Sequence, residues 1–178
     1  VQVGTSSWIS VTAGENNNIL AIKSDNTLWA WGNNVSGSLG LGDAANRSSP
    51  VQVGTSSWSL ISAGSSHALG IDTNNLLYGW GTHTSGQVTN KFFSWSQIGV
   101  GFLYSAGIRS DGLLYTWGYN NVGQTGQNTS ATNILSPTQV GNSSWSFISV
   151  GGSHVLAITT NGSLYAWGGN SYGEIGTI

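Results

Sequence analysis

Large apolar residues alternate with small or polar ones in short runs along this chain, and the runs come in groups. Residues 58–63 form one such run, stopped by Gly64; residues 67–73 form a second; residues 76–80 form a third, with Leu76, Tyr78 and Trp80 on one face. Period-two runs of this length, bounded by glycine and turn residues, predict β-strands. Between the second and third run stands a turn pair, and it recurs in phase as Asp25-Asn26, Asn74-Asn75, Asp111-Gly112 and Asn161-Gly162. Such residues accept positive φ, which a tight hairpin of the right twist is expected to need at both central positions. No 3.6-residue pattern is sustained anywhere, which excludes a helical solenoid.

The groups are copies of one unit. Residues 148–173 (ISVGGSHVLAITTNGSLYAWGGNSYG) nearly repeat residues 61–86, and looser copies occupy residues 11–37 and 98–123. Trp31, Trp80, Trp117 and Trp167, each followed by Gly, lie 49, 37 and 50 residues apart, while Trp8, Trp58, Trp95 and Trp145 open the copies at spacings of 50, 37 and 50. From opening to closing Trp the distance is 23, 22, 22 and 22 residues. A core of nearly constant length joined by variable connections marks a repeat architecture, divided here into approximately 1–50, 51–87, 88–137 and 138–178 of a single segment.

After each Trp-Gly comes a turn-rich arm with a recurrent Gly (Gly37, Gly86, Gly123, Gly173), then a short β segment at 51–53 and 138–140. Pro50 and Pro137 precede that segment, where a strand can begin without the missing donor. The connection from Gly81 to Trp95 is only 14 residues and lacks both the Pro and the VQVG phrase, so its outer strand is expected to be short or absent. One extra residue within 15–18 predicts a bulge or a longer turn in the first copy. Three or four short antiparallel strands per copy, repeated radially, describe a β-propeller blade. The fold class is therefore all-β, with about four antiparallel blades. Small residues at strand positions (Ala30, Gly70, Gly79, Ala157, Ala166) suit sheets that pack face to face, and the Trp-Gly and opening tryptophans are expected between them as core.

Composition narrows the function. Only 6 % of the residues are charged, against roughly 25 % in an ordinary soluble domain, and Gly, Ser, Asn and Thr make up about half of the chain. Nine Trp, six Tyr and four Phe supply the apolar area that a disordered segment lacks. With a net charge of −2, little repulsion keeps neighbouring copies apart, a surface suited to assembly. Lys23, Arg47, Lys91 and Arg109 are the only basic residues, too few and too spread along the chain to build a basic patch, which argues against nucleic acid. The absence of Cys rules out disulfides and thiolate metal sites. No apolar run approaches membrane-spanning length, so membrane insertion is not expected. The chain has no Met, and it opens on the VQVG phrase that recurs at Val51, so it is expected to be an excerpt of something longer.

The phrases GSSHALGIDTNNLLYGWG and GGSHVLAITTNGSLYAWGGNSYGEIG resemble the repeat of the regulator of chromosome condensation family. That repeat has a Gly-x-x-His segment, an aliphatic strand, a turn, a Tyr-x-Trp-Gly strand, then Asn-x-x-Gly-Gln-Leu-Gly. The resemblance covers essentially the whole chain and implies a β-propeller, commonly of seven blades. Bacterial propellers that inhibit β-lactamases use a similar short repeat. Gly-x-x-His stands here as Gly64/His67 and Gly151/His154, with Asn18 and Tyr104 replacing the His in the other copies. The loops and basic residues that the family uses for guanine-nucleotide exchange and nucleosome binding are not found. Four repeats leave three arrangements open: further blades outside this chain, a ring completed by other chains, or an open arc or small closed propeller.

No catalytic constellation can be assembled. His67 and His154 are expected to bond backbone groups at blade turns, because repeat-equivalent positions do not converge on one metal. Asp25 and Asp111 sit in hairpin turns, no carboxylate pair or Ca²⁺ loop is present, and no Ser–His–Asp set can be nominated. The chain is read as a non-enzyme without cofactor or metal. Candidate contact residues are aromatics outside the repeat pattern, namely Phe92, Phe93, Phe102, Tyr119 and Tyr172, which would form a binding surface if they share a rim. Asn34, Asn46, Asn128, Asn142 and Asn161 begin glycosylation sequons, though chance matches are expected in so Asn- and Ser-rich a chain, so a glycan is possible but unsupported. The leading expectation is a structural or binding module, extracellular or on a virion surface. Its partners would be proteins, either copies of itself or a larger assembly. The alternative is a secreted, inhibitor-like binder acting through a propeller face. Guanine-nucleotide exchange or chromatin binding ranks third.

Overall fold

The computed structural model describes residues 2–86, 94–130 and 132–176. Strands β1 (Trp8–Ala13), β2 (Asn18–Lys23) and β3 (Thr27–Gly32) lead into a long β4 (Arg47–Ala63), followed by β5 (His67–Asp72) and β6 (Leu77–Gly81). Then come β7 (Trp95–Val100), β8 (Tyr104–Arg109), β9 (Leu114–Gly118) and β10 (Ile134–Gln139), and finally β11 (Trp145–Val150), β12 (His154–Thr159) and β13 (Leu164–Gly168). All neighbours pair antiparallel. The first part of β4 is the outer strand beside β3, with Gln52 opposite Trp29, and its second part is the inner strand beside β5, with Trp58 opposite Asp72. The molecule therefore holds four blades: β1–β3 with the start of β4; the rest of β4 with β5 and β6; β7–β10; and β11–β13. The expectation of an all-β propeller segment of about four blades is met. Among the described residues blade 2 has no fourth strand, and residues 87–93 of the short connection lie outside them.

Two local expectations need correction. In the β2–β3 and equivalent hairpins only the second member of each turn pair has positive φ: Asn26 (65°), Asn75 (63°), Gly112 (82°) and Gly162 (88°). That residue's N–H donates to the carbonyl three residues back, as in Asn75 to Asp72. This is the turn followed by a single left-handed residue that builds a slightly longer hairpin loop. Asp25, Asp111 and Asn161 at the first position act through their side chains instead, each accepting from the N–H two residues on, with the Thr27 hydroxyl also donating to Asp25; in blade 2 Asp72 takes this role, accepting from the N–H groups of Asn74 and Leu76. Second, Pro50 and Pro137 lie inside β4 and β10 rather than before them. Each falls within a register shift of an outer strand, where its missing N–H breaks no ladder bond. The extra residue of the first copy is a longer turn, residues 14–17, with Asn17 at φ 62°.

The core lies between the blades. Leu20, Ile22 and Leu28 of blade 1 pack with Trp58 of blade 2, and Leu69, Ile71 and Leu77 of blade 2 with Trp95 and Trp117 of blade 3. Ile108 and Leu114 of blade 3 pack with Trp145 and Ile148 of blade 4. Each blade thus presents an aliphatic face forward and an aromatic face backward. The aromatic face is a cluster: Trp58 lies 5.3 Å from Tyr78 and 5.7 Å from Trp80, and Trp95 and Trp145 repeat the arrangement with Tyr115/Trp117 and Tyr165/Trp167. Edge-on rings at such distances add specific attraction to their burial.

Candidate functional site

Three regions could carry function: the end of the blades bearing the turn-rich arms, the axis, and the two ends of the arc. At the first, Phe102 in the β7–β8 turn is 49 % exposed and Tyr172 in the arm after β13 is 94 % exposed, whereas Tyr119, just after β9, is half-buried. The topology puts all three at the same end of the blades, but among the described residues no ring contact joins them. Phe92 and Phe93 lie outside the described residues. Phe102 is tied to the fold through its backbone, its N–H donating to Gly152 and its carbonyl accepting from Ser65 Oγ.

Near the axis the ends of the four inner strands converge on a small cleft of about 170 Å³, lined by Ala13, Glu15, Ala63, Val100 and Val150 with the glycines that follow three of them. A Cβ built on Gly64 would lie 2.4 Å from the Gly101 carbonyl, and one on Gly101 would lie 2.7 Å from that of Gly151, so glycine allows the blades to approach this closely. Glu15 is the one carboxylate lining the cleft. Among the described residues no group of three or more His, Cys, Asp or Glu could hold a metal ion.

The repeat position of Asn18, His67, Tyr104 and His154 forms a polar belt between blades. His67 is fully buried and its Nε2 lies 3.1 Å from Ser105 Oγ of blade 3. Its ring thus meets a neighbouring blade's hydroxyl, from a residue that nothing in the repeat pattern singled out, together with the backbone of Tyr104 in that blade. Burial holds the His67 pKa down, to about 4. Tyr104 Oη reaches the carbonyls of Gly151 and His154 in blade 4, at 2.9 and 2.6 Å, and burial, with Glu15 adding to it, pushes its phenol up. The other ionisable groups serve local structure. Asp25 is held below the usual carboxylate range first by the Thr27 hydroxyl, Asp43 by the Ala45 N–H and then Arg47, and Glu174 by the Tyr172 N–H. Lys23 Nζ sits 3.5 Å from the centre of the Trp29 ring, and Arg47 and Arg109 pair with Asp43 and Asp111.

The arms are built by buried amides. Asn34 Nδ2 donates to the Asp43 carbonyl while its Oδ1 accepts from Leu39 N–H, and Asn120 does the same with Thr129 and Thr125. Asn34 is fully buried, so its sequon is closed to modification in the folded chain. The arm also latches the next blade: Trp80 Nε1 donates to the Ser38 carbonyl (2.8 Å) and Trp167 Nε1 to that of Gln124 (3.1 Å).

The opening and closing tryptophans of blades 2–4 sit in these interfaces. Trp8 and Trp31 of blade 1 form the same pair, 6.0 Å apart, but no other blade among the described residues covers them, and they remain part-exposed beside an apolar cleft of about 220 Å³.

Comparison with known proteins agrees with this geometry. The chain is 33 % identical over 87 residues to the ultraviolet-B receptor UVR8 of Arabidopsis thaliana, covering 47 % of this chain and 20 % of the receptor. Among solved structures, human WBSCR16 superposes with a TM-score of 0.86 at 22 % identity, over 99 % of this chain and 51 % of that one. Prp20 of Saccharomyces cerevisiae superposes with a TM-score of 0.75 at 20 % identity, over 86 % and 42 %. The chain thus spans about half the length of these structures or less, and its blades match part of larger, seven-bladed propellers. The model of the regulator of chromosome condensation (RCC1) repeat matches at residues 8–38, 58–87, 95–124 and 145–174, once in each of the four blades. With the repeat present in every blade and the blades stacked as it requires, this chain belongs to the RCC1 repeat family.

Proposed function

We propose that this chain is a non-enzymatic structural or binding module acting outside the cell, as a structural or appendage component of a virion such as a phage or as a surface protein. Its work is protein–protein assembly or surface recognition. RCC1-type propellers bind proteins, as in yeast RCC1 bound by Kap60. The observation that carries the reading is where the ionisable side chains go. Asp25, Asp43, Asp72, Asp111 and Glu174 accept hydrogen bonds within their own turns and arms, His67 is sealed between blades, and three of the four cations lie against local rings or carboxylates. What remains for contact is mostly amide, hydroxyl and apolar surface, aliphatic as well as aromatic.

Fractionation of the source with an antibody to this chain tests the proposal. The chain should travel with purified particles or the extracellular fraction; recovery as an isolated cytosolic monomer would overturn it.

A second reading, a secreted inhibitor-like binder, is favoured by the exposure of Phe102 and Tyr172 at one end of the blades. It expects Phe102→Ala with Tyr172→Ala to weaken partner capture, and unchanged capture removes it. Prp20 has been studied for its binding to Gsp1 and histones. A similar role is not proposed for this chain, since Lys23, Arg47 and Arg109 are engaged locally, by the Trp29 ring, Asp43 and Asp111.

A further inference from the structure

We propose that the cleft at the axis is a binding site for an alkylated ammonium group, with the apolar substituents of the nitrogen in the cleft and its positive charge held at the mouth by Glu15 and Phe102. The site goes beyond the assembly reading and stands apart from it, since it requires neither an assembly nor a location outside the cell.

The walls come from one repeat position. Ala13, Ala63, Val100 and Val150 end the inner strands of the four blades, and all four line the cleft of about 170 Å³. Their side chains are small and aliphatic, and a cavity of about 150 Å³ is already large enough for a molecule as bulky as benzene. Two residues further along each copy, in the turns that follow these strands, stand Glu15, Ser65, Phe102 and Gly152. This second ring of positions therefore offers one carboxylate, one hydroxyl, one aromatic ring and one bare stretch of backbone.

Glu15 is the carboxylate that the fold leaves uncommitted. The chain has six Asp and Glu residues, and Asp25, Asp43, Asp72, Asp111 and Glu174 accept hydrogen bonds within their own turns and arms. No hydrogen bond or ion pair engages Glu15 among the described residues. The extra residue of the first copy lengthens the turn that carries it, and the longer turn brings it beside blade 4: a Cβ built on Gly152 would lie 3.1 Å from Glu15 Oε1. Phe102 meets the same residue. Its N–H donates to the Gly152 carbonyl (2.9 Å), while the residue stays 49 % exposed. A free carboxylate and an accessible aromatic residue are thus anchored on one glycine, which adds no side chain of its own to obstruct the mouth.

That combination selects an organic cation. A carboxylate and an aromatic face both attract positive charge, and an alkylated nitrogen also gains by placing its carbon substituents against aliphatic walls. A hard metal ion needs several oxygen ligands, and Glu15 is the one carboxylate that lines the cleft. An anion would meet the Glu15 charge.

Titration of the isotope-labelled chain with choline, followed through the amide signals of Gly64, Gly101, Gly151 and Gly152, tests the site. Choline should shift these signals with a Kd on the order of 1 mM, as expected of so few atoms. Its uncharged isostere, with a quaternary carbon in place of the nitrogen, should bind at least about 3-fold more weakly, and Glu15→Gln and Phe102→Ala should each weaken choline about 3-fold. Glu15→Gln should also remove most of the preference over the isostere. Gly152→Val puts a side chain into the mouth at a position where other copies carry Ser65 and Phe102, and it should block both compounds while the amide spectrum of a folded chain is retained. A peptide bearing trimethyl-lysine forms the second arm: tighter binding than choline assigns the group to a protein, and equal or weaker binding assigns it to a free small molecule. No shift at these glycines, equal binding of choline and its isostere, or choline binding unchanged by Glu15→Gln would each overturn the site, and all three would leave the protein-binding reading untouched.

Discussion

The phenolic oxygen of Tyr104 in blade 3 lies 2.6 Å from the carbonyl of His154 in blade 4, and the carbonyl of Gly151 is 2.9 Å from the same atom. One buried proton thus bridges two blades at the position where the repeat elsewhere carries histidine. Tyr104→Phe keeps the ring and removes the bridge. It should lower stability by about 1–2 kcal/mol, the usual cost of a buried hydrogen bond whose acceptors lose their partner. Urea unfolding measures it; an unchanged midpoint would show that the hydroxyl contributes nothing.

His67 makes the fold sensitive to mild acid. Its pKa is about 4 in the folded chain and near 6.5 when unfolded, because burial disfavours the imidazolium. Between those values the unfolded chain binds the proton and the folded chain does not. The contribution is therefore complete above about pH 6.5 and is lost progressively as the pH falls to about 4, amounting to roughly 3 kcal/mol in all. Thermal unfolding at pH 7 and pH 5 should show the loss, and His67→Asn should flatten it. A His67→Asn variant as pH-sensitive as the parent would place the sensitivity elsewhere.

Gly107 sits beneath the six-membered ring of Trp95, and a Cβ built on it would lie 2.7 Å from that ring. Gly107→Ala should therefore overpack the blade 2–blade 3 interface, at a cost of about 1–3 kcal/mol. Blade 4 has Ala157 at the equivalent position, opposite Ile148 as Gly107 is opposite Ile98, so its neighbours already accommodate the methyl. Ala157→Gly should cost about 1 kcal/mol through lost packing and a looser strand. Denaturant midpoints of the two variants separate the cases, and equal effects would contradict this reading.

The latch between arm and blade can be tested at Trp167. Trp167→Phe retains an aromatic ring but removes the Nε1–H that reaches the Gln124 carbonyl. A loss of about 1–2 kcal/mol is expected, together with faster proteolysis of the arm after β9. Unaltered cleavage there would mean that the arm is held by Asn120 and its neighbours alone.

Much of this architecture was legible because its signals are local. Trp-Gly spacing, period-two runs and turn pairs are properties of a few adjacent residues, and they placed the strands of blade 2 at 58–63, 67–73 and 76–80 against observed ends of Ala63, His67–Asp72 and Leu77–Gly81. The hairpin pairs were recognisable, yet their φ pattern was not, since Asp and Asn serve such turns either by positive φ or by side-chain acceptance. The candidate rim was less legible. Phe102, Tyr119 and Tyr172 all fall outside the repeat pattern, but only two are well exposed, and Ser105, which meets His67, has no motif of its own.

The chain's letters were enough to specify a blade: where it begins and turns, and which residues point to either face, because backbone geometry couples each residue to its immediate neighbours. Which faces end up dry was settled only by stacking. Leu28 and Leu164 are the same residue in the same strand position, and one is buried while the other is exposed. The difference arises because burial of a sheet face is completed by another sheet, and among the described residues no sheet packs on that face of blade 4.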